Sequence, residues 1–527
     1  MEVFAKLSLR QKIAQLCIVA AVSNEEKNQK LMDRWYEWAL YLLDHAYIED
    51  LIIHYQVGGV IFYGSNTTAQ EQAALTDHFQ SLSEIPLFIA LDAETGLDDR
   101  LHEESVISYP CAMALGAIHD PRLAYKLGAE LAQQLKKIGV HMAFTPIVDV
   151  NSNPANPIIG LRSFGSQKGL VTLMGLALMN GLQDNGVIAC AKHFPGHGDT
   201  SQDSHEMLPT VNQDLAIALY PFKELIDAGV KAVMTAHLEV PALEKQKGLA
   251  SSLSYSIVTT LLQYQMGFNG LIITDALGMK GASDCAEPGE LELQALLAGN
   301  DILLCPVDAA RAIDYIEQAV YDGKISEEEI NSKVLKVLHA KAWAMSDENE
   351  DDRSIEEVLQ SQEAHDLQEL LFCKSITLAK RSCENPFAGQ NNRKFIISIL
   401  ENDDDDSIDT SDMFGTEIPG TKNELDTILS SNFDNADHVI VTIHTMNRFA
   451  DKNYGIPNSI DDLIISLKNQ GKQVTVVLFG TPYAIPLVNE ADDILIAYED
   501  WPAAHKAVAD IISGKKVSTG ILPVKVK

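Results

Sequence analysis

The sequence predicts an α/β protein: a TIM-type (β/α)8 barrel followed by a smaller α/β/α sandwich domain. Three observations lead there. Short β-rich apolar runs alternate with helix-patterned stretches through the first two thirds of the chain, as βαβ units around a parallel sheet require. The runs number eight, which with their helices make one barrel. Beyond an acidic stretch the alternation resumes in a shorter series, and 527 residues exceed the roughly 150 of one ordinary domain.

The barrel strands are expected at Leu16–Ala20, Gly59–Tyr63, Leu87–Leu91, Val140–Pro146, Val187–Ala191, Ala232–Ala236, Leu271–Thr274 and Asp301–Leu304. Between them, Pro121 to Ile138, Leu170 to Leu182, Ala216 to Ala228 and Ala309 to Val320 carry apolar residues at helical spacing. Residues 1–345 are therefore the barrel domain. Residues 346–357 (SDENEDDRSIEE), with seven acids and one base, read as a solvated linker. In 358–527 a helical stretch, Val358 to Leu371, precedes strand-like runs at Lys394–Leu400, His438–His444, Gln473–Phe479 and Ile494–Tyr498.

Composition narrows the function. Lys plus Arg is 40 against 74 for Asp plus Glu, a formal charge of −34, which argues against anionic membrane surfaces and excludes nucleic acid as a partner. No run approaches the ~18 apolar residues of a membrane span, and the N-terminal pattern is that of a helix instead of a signal peptide. Seven scattered cysteines, an odd number with several set in apolar runs, suit a reducing compartment. The cytoplasm is the expected location; a periplasmic or secreted one is the expectation if a signal peptide has been removed. The acidic run Glu401 to Asp412 reads as a surface loop, since it lacks the Gly and terminal Glu of a calcium loop.

Chemistry concentrates just past the strands, where barrel active sites form. Directly after the fifth run, Lys192 to His205 (KHFPGHGDTSQDSH) packs three histidines and two aspartates into fourteen residues. One reading makes His193, His197, Asp199 and His205 ligands of a hydrolytic Zn²⁺, although no helical i, i+4 pair fixes such a geometry. The preferred reading is acid–base: Asp203 and His205, two apart in an extended segment, point the same way, so the carboxylate can orient an imidazole suited to proton transfer near neutrality. The seventh run ends in Asp275, placed either to face the barrel mouth or to cap the next helix. Asp92, Glu94 and Arg100 follow the third run, and Asp149 and Arg162 the fourth. Polar groups from four strand ends suit a substrate rich in hydroxyls, and a small saccharide is the natural candidate.

The segments KHFPGHGDTSQDSH, PIVDVNSNPANPIIGLRSFG and GFNGLIITDALGM resemble glycoside hydrolase family 3, and the histidine loop resembles its NagZ-like β-N-acetylglucosaminidase branch. The resemblance runs continuously over about residues 8–340, and the second domain is similar in size and character to that of two-domain members. It implies a retaining double displacement without metal or cofactor. Asp275 is then the nucleophile, His205 held by Asp203 the general acid/base, and Asp92, Arg100, Arg162, Lys192 and His193 hold the sugar's hydroxyls. Where relatives read D-x-E-G-G-R-V, this chain has Asp92 to Asp98 as DAETGLD, so one expected arginine is missing. The stretch Glu25 to Tyr55 resembles an insertion that reshapes the mouth.

The implied activity is removal of terminal N-acetylglucosamine from peptidoglycan fragments or related saccharides. Phosphorolysis on the same scaffold is the alternative, because a deprotonated imidazole does not repel an incoming phosphate. A metal-dependent hydrolase is a further one. A non-catalytic saccharide-binding module is disfavoured because Asp275, Asp203 and His205 are all present.

Overall fold

A computed structural model of the chain describes residues 3–22, 44–64, 67–102, 105–202, 204, 207–211, 214–346, 351–384, 386–387, 394–400, 417–421, 436–444 and 446–526. Two compact units emerge. One comprises Met1–Ser108, Pro121–Val150 and Gly175–His365; the other Tyr109–Asp120, Asn151–Met174 and Asp366–Lys527. A boundary drawn along the sequence at 346–357 sees neither excursion. Met113, Ala114 and Ala117 join the core of the second unit, a pairing no local pattern announces. The described part of the acidic stretch is tied down by an Arg353–Asp351 ion pair and a capping box from Ser354 and Glu357, which starts a helix at Ile355.

The first unit holds β1 (Cys17–Val22), β2 (Gly59–Tyr63), β3 (Phe88–Leu91), β4 (Met142–Ala143), β5 (Ile188–Phe194), β6 (Ala232–Thr235), β7 (Leu271–Thr274) and β8 (Leu303–Leu304). All eight expected strands are present, parallel, in the order β7-β6-β5-β4-β3-β2-β1-β8. The ring closes where Ile273 bridges Ile302 and Thr274 N–H donates to Ile302 O at 3.0 Å. A sheet covered on both faces needs continuous apolar runs, and these strands are buried almost throughout. Strand β4 is shorter than expected. Pro146 has no N–H to give, so it can only accept, from Lys192 N–H, as the Thr145 carbonyl does from Cys190 N–H of β5. Outside the strands, a Cβ on Gly128 would lie 2.4 Å from Leu178 O and one on Gly181 2.3 Å from Tyr125 O, so only glycine lets these two helices touch backbone to backbone.

The second unit contains β9 (Thr377–Lys380), β10 (Lys394–Leu400), β11 (Glu417–Thr421), β12 (His438–Ile443), β13 (Gln473–Leu478) and β14 (Asp493–Ile496), ordered β11-β10-β12-β13-β14-β9 with β9 antiparallel. Alternate residues feed two cores, as period-2 strands must. Val439, Val441 and Val476 pack with Leu463 and Leu467 of helix Ile460–Asn469. Ile440, Val477 and Leu495 pack with Phe372 and Val508 of helices Gln362–Ser375 and Pro502–Ile512. This is the expected α/β/α sandwich. Two strands escape sequence reasoning: β9 is four residues long, and β11 (EIPGT) carries a Pro and a Gly that only a sheet edge tolerates. Residues 25–43 of the expected insertion and the run Glu401 to Asp412 lie outside the described residues. Among the described residues no helix is long and apolar enough to cross a membrane.

Candidate active site

Parallel strands deliver their carboxyl ends to one rim, so residues just past β3, β5 and β7 share it. Asp92, immediately after β3, accepts from Lys192 Nζ of β5 at 3.0 Å and from Arg100 Nη2 at 2.8 Å. Lys192 Nζ also lies 2.9 Å from Glu94, and only 3% of its side chain is exposed. Burial by itself would push Asp92 up, but Lys192 and Arg100 outweigh it and hold the carboxyl at about 2. Burial likewise opposes the Arg100 charge, yet Asp92 raises its pKa beyond the ordinary range. The guanidinium stands 5.4 Å over the Tyr63 ring. A compensated network of fixed charges thus occupies the third and fifth strand ends.

Asp149 organises the histidine loop. It is fully buried and accepts from His193 N–H (3.1 Å), His193 Nδ1 (2.7 Å) and His197 N–H (2.7 Å). Despite burial, these donors lower its pKa. His197 has both ring nitrogens engaged, Nδ1 with Thr200 Oγ1 at 2.7 Å and Nε2 with Ser204 Oγ at 3.1 Å. With both of its ring nitrogens hydrogen-bonded inside the loop, His197 is held as a positioned scaffold residue and not as a zinc ligand.

Asp275 follows β7 with its N–H donating to Thr235 O at 2.8 Å, and its Oδ1 accepts from Ala276 N–H at 2.8 Å. The next helix begins only at Lys280, so Asp275 is not its cap. Burial raises both the Tyr63 hydroxyl and the Cys305 thiol; after it come Cys305 for Tyr63, and the negative charges of Asp92 and, more weakly, Asp275 for both. Asp203 and His205 lie outside the described residues. Ser204, between them, is described: its carbonyl accepts from Gly281 N–H at 3.3 Å, joining the histidine loop to the turn that follows Asp275.

Arg162 sits in the segment that groups with the second unit. It donates from Nη1 to Ile158 O at 3.0 Å and lines a pocket there with Asn156, Arg448 and Tyr454. Sequence reasoning passed over His237. It is fully buried just after β6, donates from Nε2 to Ala276 O (3.1 Å) and pairs through Nδ1 with Ser252 Oγ (2.7 Å), so it holds the turn that carries Asp275. The signal was available in Thr235-Ala236-His237, a polar group at the one strand end between β5 and β7 left unexamined.

Carboxylates and cations gathered on the carboxyl rim of a closed parallel barrel are the layout of an enzyme acting on a polyhydroxylated substrate. The comparisons are more specific: the sequence model of the glycosyl hydrolase family 3 N-terminal domain matches residues 8–340, and the chain belongs to that family. Beta-hexosaminidase A of Pseudoalteromonas piscicida is 36% identical over 326 residues, which cover 56% of this chain and 54% of that protein, so the chain spans about half the length of that relative. Beta-hexosaminidase LpqI of Mycobacterium tuberculosis is 30% identical over 348 residues, 64% of this chain and 84% of that one. The solved glycoside hydrolase family 3 beta-N-acetylglucosaminidase from Paenibacillus sp. matches with a TM-score of 0.81 at 30% identity, covering 99% of each chain.

Proposed function

We propose that the protein is a retaining exo-β-N-acetylglucosaminidase that removes terminal N-acetylglucosamine from peptidoglycan fragments or related saccharides. The observation carrying this reading is the Ser204–Gly281 hydrogen bond, which ties the segment holding Asp203 and His205 to the turn after Asp275. Asp275 attacks the anomeric carbon and forms a glycosyl-enzyme; His205, oriented by Asp203, protonates the leaving oxygen and then activates water. Asp92, Arg100, Lys192 and His193 bind the sugar's hydroxyls. The relatives named above as hexosaminidases support the choice of sugar. All seven cysteines are unpaired, which supports a reducing compartment as the place of action.

The test compares a nitrophenyl N-acetylglucosaminide with the matching glucoside, following the product anomer by NMR. Preferred cleavage of the former with a β-anomer first supports the proposal. Equal or reversed preference removes the sugar assignment, and an α-anomer first removes the double displacement. Running the reaction in phosphate buffer separates hydrolysis from phosphorolysis, which would yield the sugar 1-phosphate.

A further inference from the structure

The second unit holds a side-chain cluster that the glycosidic chemistry does not use. His444 lies just past β12, Asp500 in the loop after β14, and His505 on helix Pro502–Ile512; their three donor atoms all lie within 4.8 Å of one another. His444 Nδ1 is 2.8 Å and His505 Nε2 2.6 Å from the same oxygen, Asp500 Oδ1. The imidazoles are buried, with 7% and 3% of their side chains exposed, while Asp500, at 27%, leaves a way in from solvent. The carboxyl edge of an open parallel sheet is where doubly wound folds bind ligands.

We propose that His444, Asp500 and His505 form a site for one divalent transition-metal ion of the Zn²⁺ class. Two imidazoles and a carboxylate are the donor set such an ion takes, with exchangeable positions left over. The His444 ring is turned for it. Thr442 Oγ1 lies 3.0 Å from Ser398 Oγ and 2.9 Å from His444 Nε2, so a Thr442 hydroxyl turned to Ser398 accepts from Nε2–H, the tautomer that leaves Nδ1 to bind the ion. In that tautomer Nδ1 presents its lone pair beside a carboxylate oxygen 2.8 Å away, a pair of donor atoms that one cation can bind together. Phe479 fixes both rings, stacked on His444 and edge-on to His505, each at 4.6 Å between centroids. His505 Nδ1 is buried with no partner, so one ligand lacks its outer support, and affinity should fall 10–100-fold, roughly, below that of a fully supported site. The role of the ion is to clamp β12, the loop after β14 and helix Pro502–Ile512 together.

The experiment uses the full chain, stripped with EDTA and desalted. Added Co²⁺ should bind at one per chain with a visible absorption band displaced by Zn²⁺, release protons in weak buffer, and raise Tm by several degrees. His505→Gln and Asp500→Asn, the second able to keep a hydrogen bond and so the fold, should lose at least about tenfold in affinity. Both should cleave the nitrophenyl N-acetylglucosaminide as the wild type does, which separates this site from the proposed catalytic one. No stoichiometric binding by the wild type, or wild-type affinity in folded Asp500→Asn, overturns the proposal and leaves a proton-bridged trio.

Discussion

The carbonyl of Ser204 accepts a hydrogen bond from the N–H of Gly281 at 3.3 Å, although the two residues follow different strands, β5 and β7. A side chain at Gly281 is a tight fit: a Cβ there would lie 3.1 Å from Ser204 O and 3.2 Å from His237 Cβ, so these neighbours must give by a few tenths of an ångström. Gly281→Ala should therefore press the histidine loop away from the turn after Asp275. We expect a stability loss of about 1–3 kcal/mol and a fall in kcat larger than any change in KM. Unchanged kcat would show that the close approach plays no part in aligning the two loops.

Asp275→Ala should abolish turnover of a nitrophenyl N-acetylglucosaminide, because a covalent mechanism without its nucleophile loses the step that divides the barrier. The fold should survive, since alanine keeps the backbone N–H that donates to Thr235 O at 2.8 Å past the end of β7. Azide added to the variant, with the product anomer read by NMR, checks the assignment: rescue should give the α-glycosyl azide.

For His205→Ala the loss should depend on the leaving group. Substrates needing protonation should slow by about 10²–10⁴. A nitrophenyl substrate departs without help, so its glycosylation is largely spared and deglycosylation becomes limiting, seen as a burst with a low apparent KM. Asp203→Ala should repeat the pattern more mildly. Equal losses across leaving groups of different acidity would remove His205 from the acid/base role.

The Asp92 carboxyl is held at about 2 by Lys192 and Arg100 against its burial, below its ordinary 3.8. Its contribution is thus present above about pH 4 and lost as pH falls from about 4 to 2, amounting to about 2–3 kcal/mol. Asp92→Asn should flatten acid unfolding across that window. It should also cost about 3–5 kcal/mol at neutral pH, because the buried Lys192 and Arg100 lose a partner. Urea unfolding at pH 7 and pH 3 measures both.

Burial pushes the Lys341 amine down to about 7 from 10.5, its described partner being Gln15 Oε1 at 2.8 Å. Between these values the folded chain binds fewer protons than the unfolded one, so stability rises with pH from about 7 to 10. Lys341→Met should remove that rise and leave the variant relatively more stable at pH 6 than at pH 9. Parallel Tm profiles of the two proteins would contradict the depressed amine.

The barrel was legible because its evidence is local. A strand covered on both faces must be a short apolar run, and eight such runs stand out between helix-patterned segments. The candidate site was proposed from the same local evidence, since barrel chemistry collects immediately past strand ends, where the histidine loop and Asp275 stand in the sequence. Partnership was not. Asp92 and Lys192 are a hundred residues apart, and their 3.0 Å contact depends on β3, β4 and β5 lying side by side. Asp149 as the clamp of the histidine loop and His237 as the support of the Asp275 turn follow from the same closure. Likewise, only packing draws Tyr109–Asp120 and Asn151–Met174 into the second unit and brings His444 and His505 to one carboxylate oxygen. Periodicity records which side of an element is buried. It carries nothing about what the buried side meets, and that was decided by the closed ring and the sandwich.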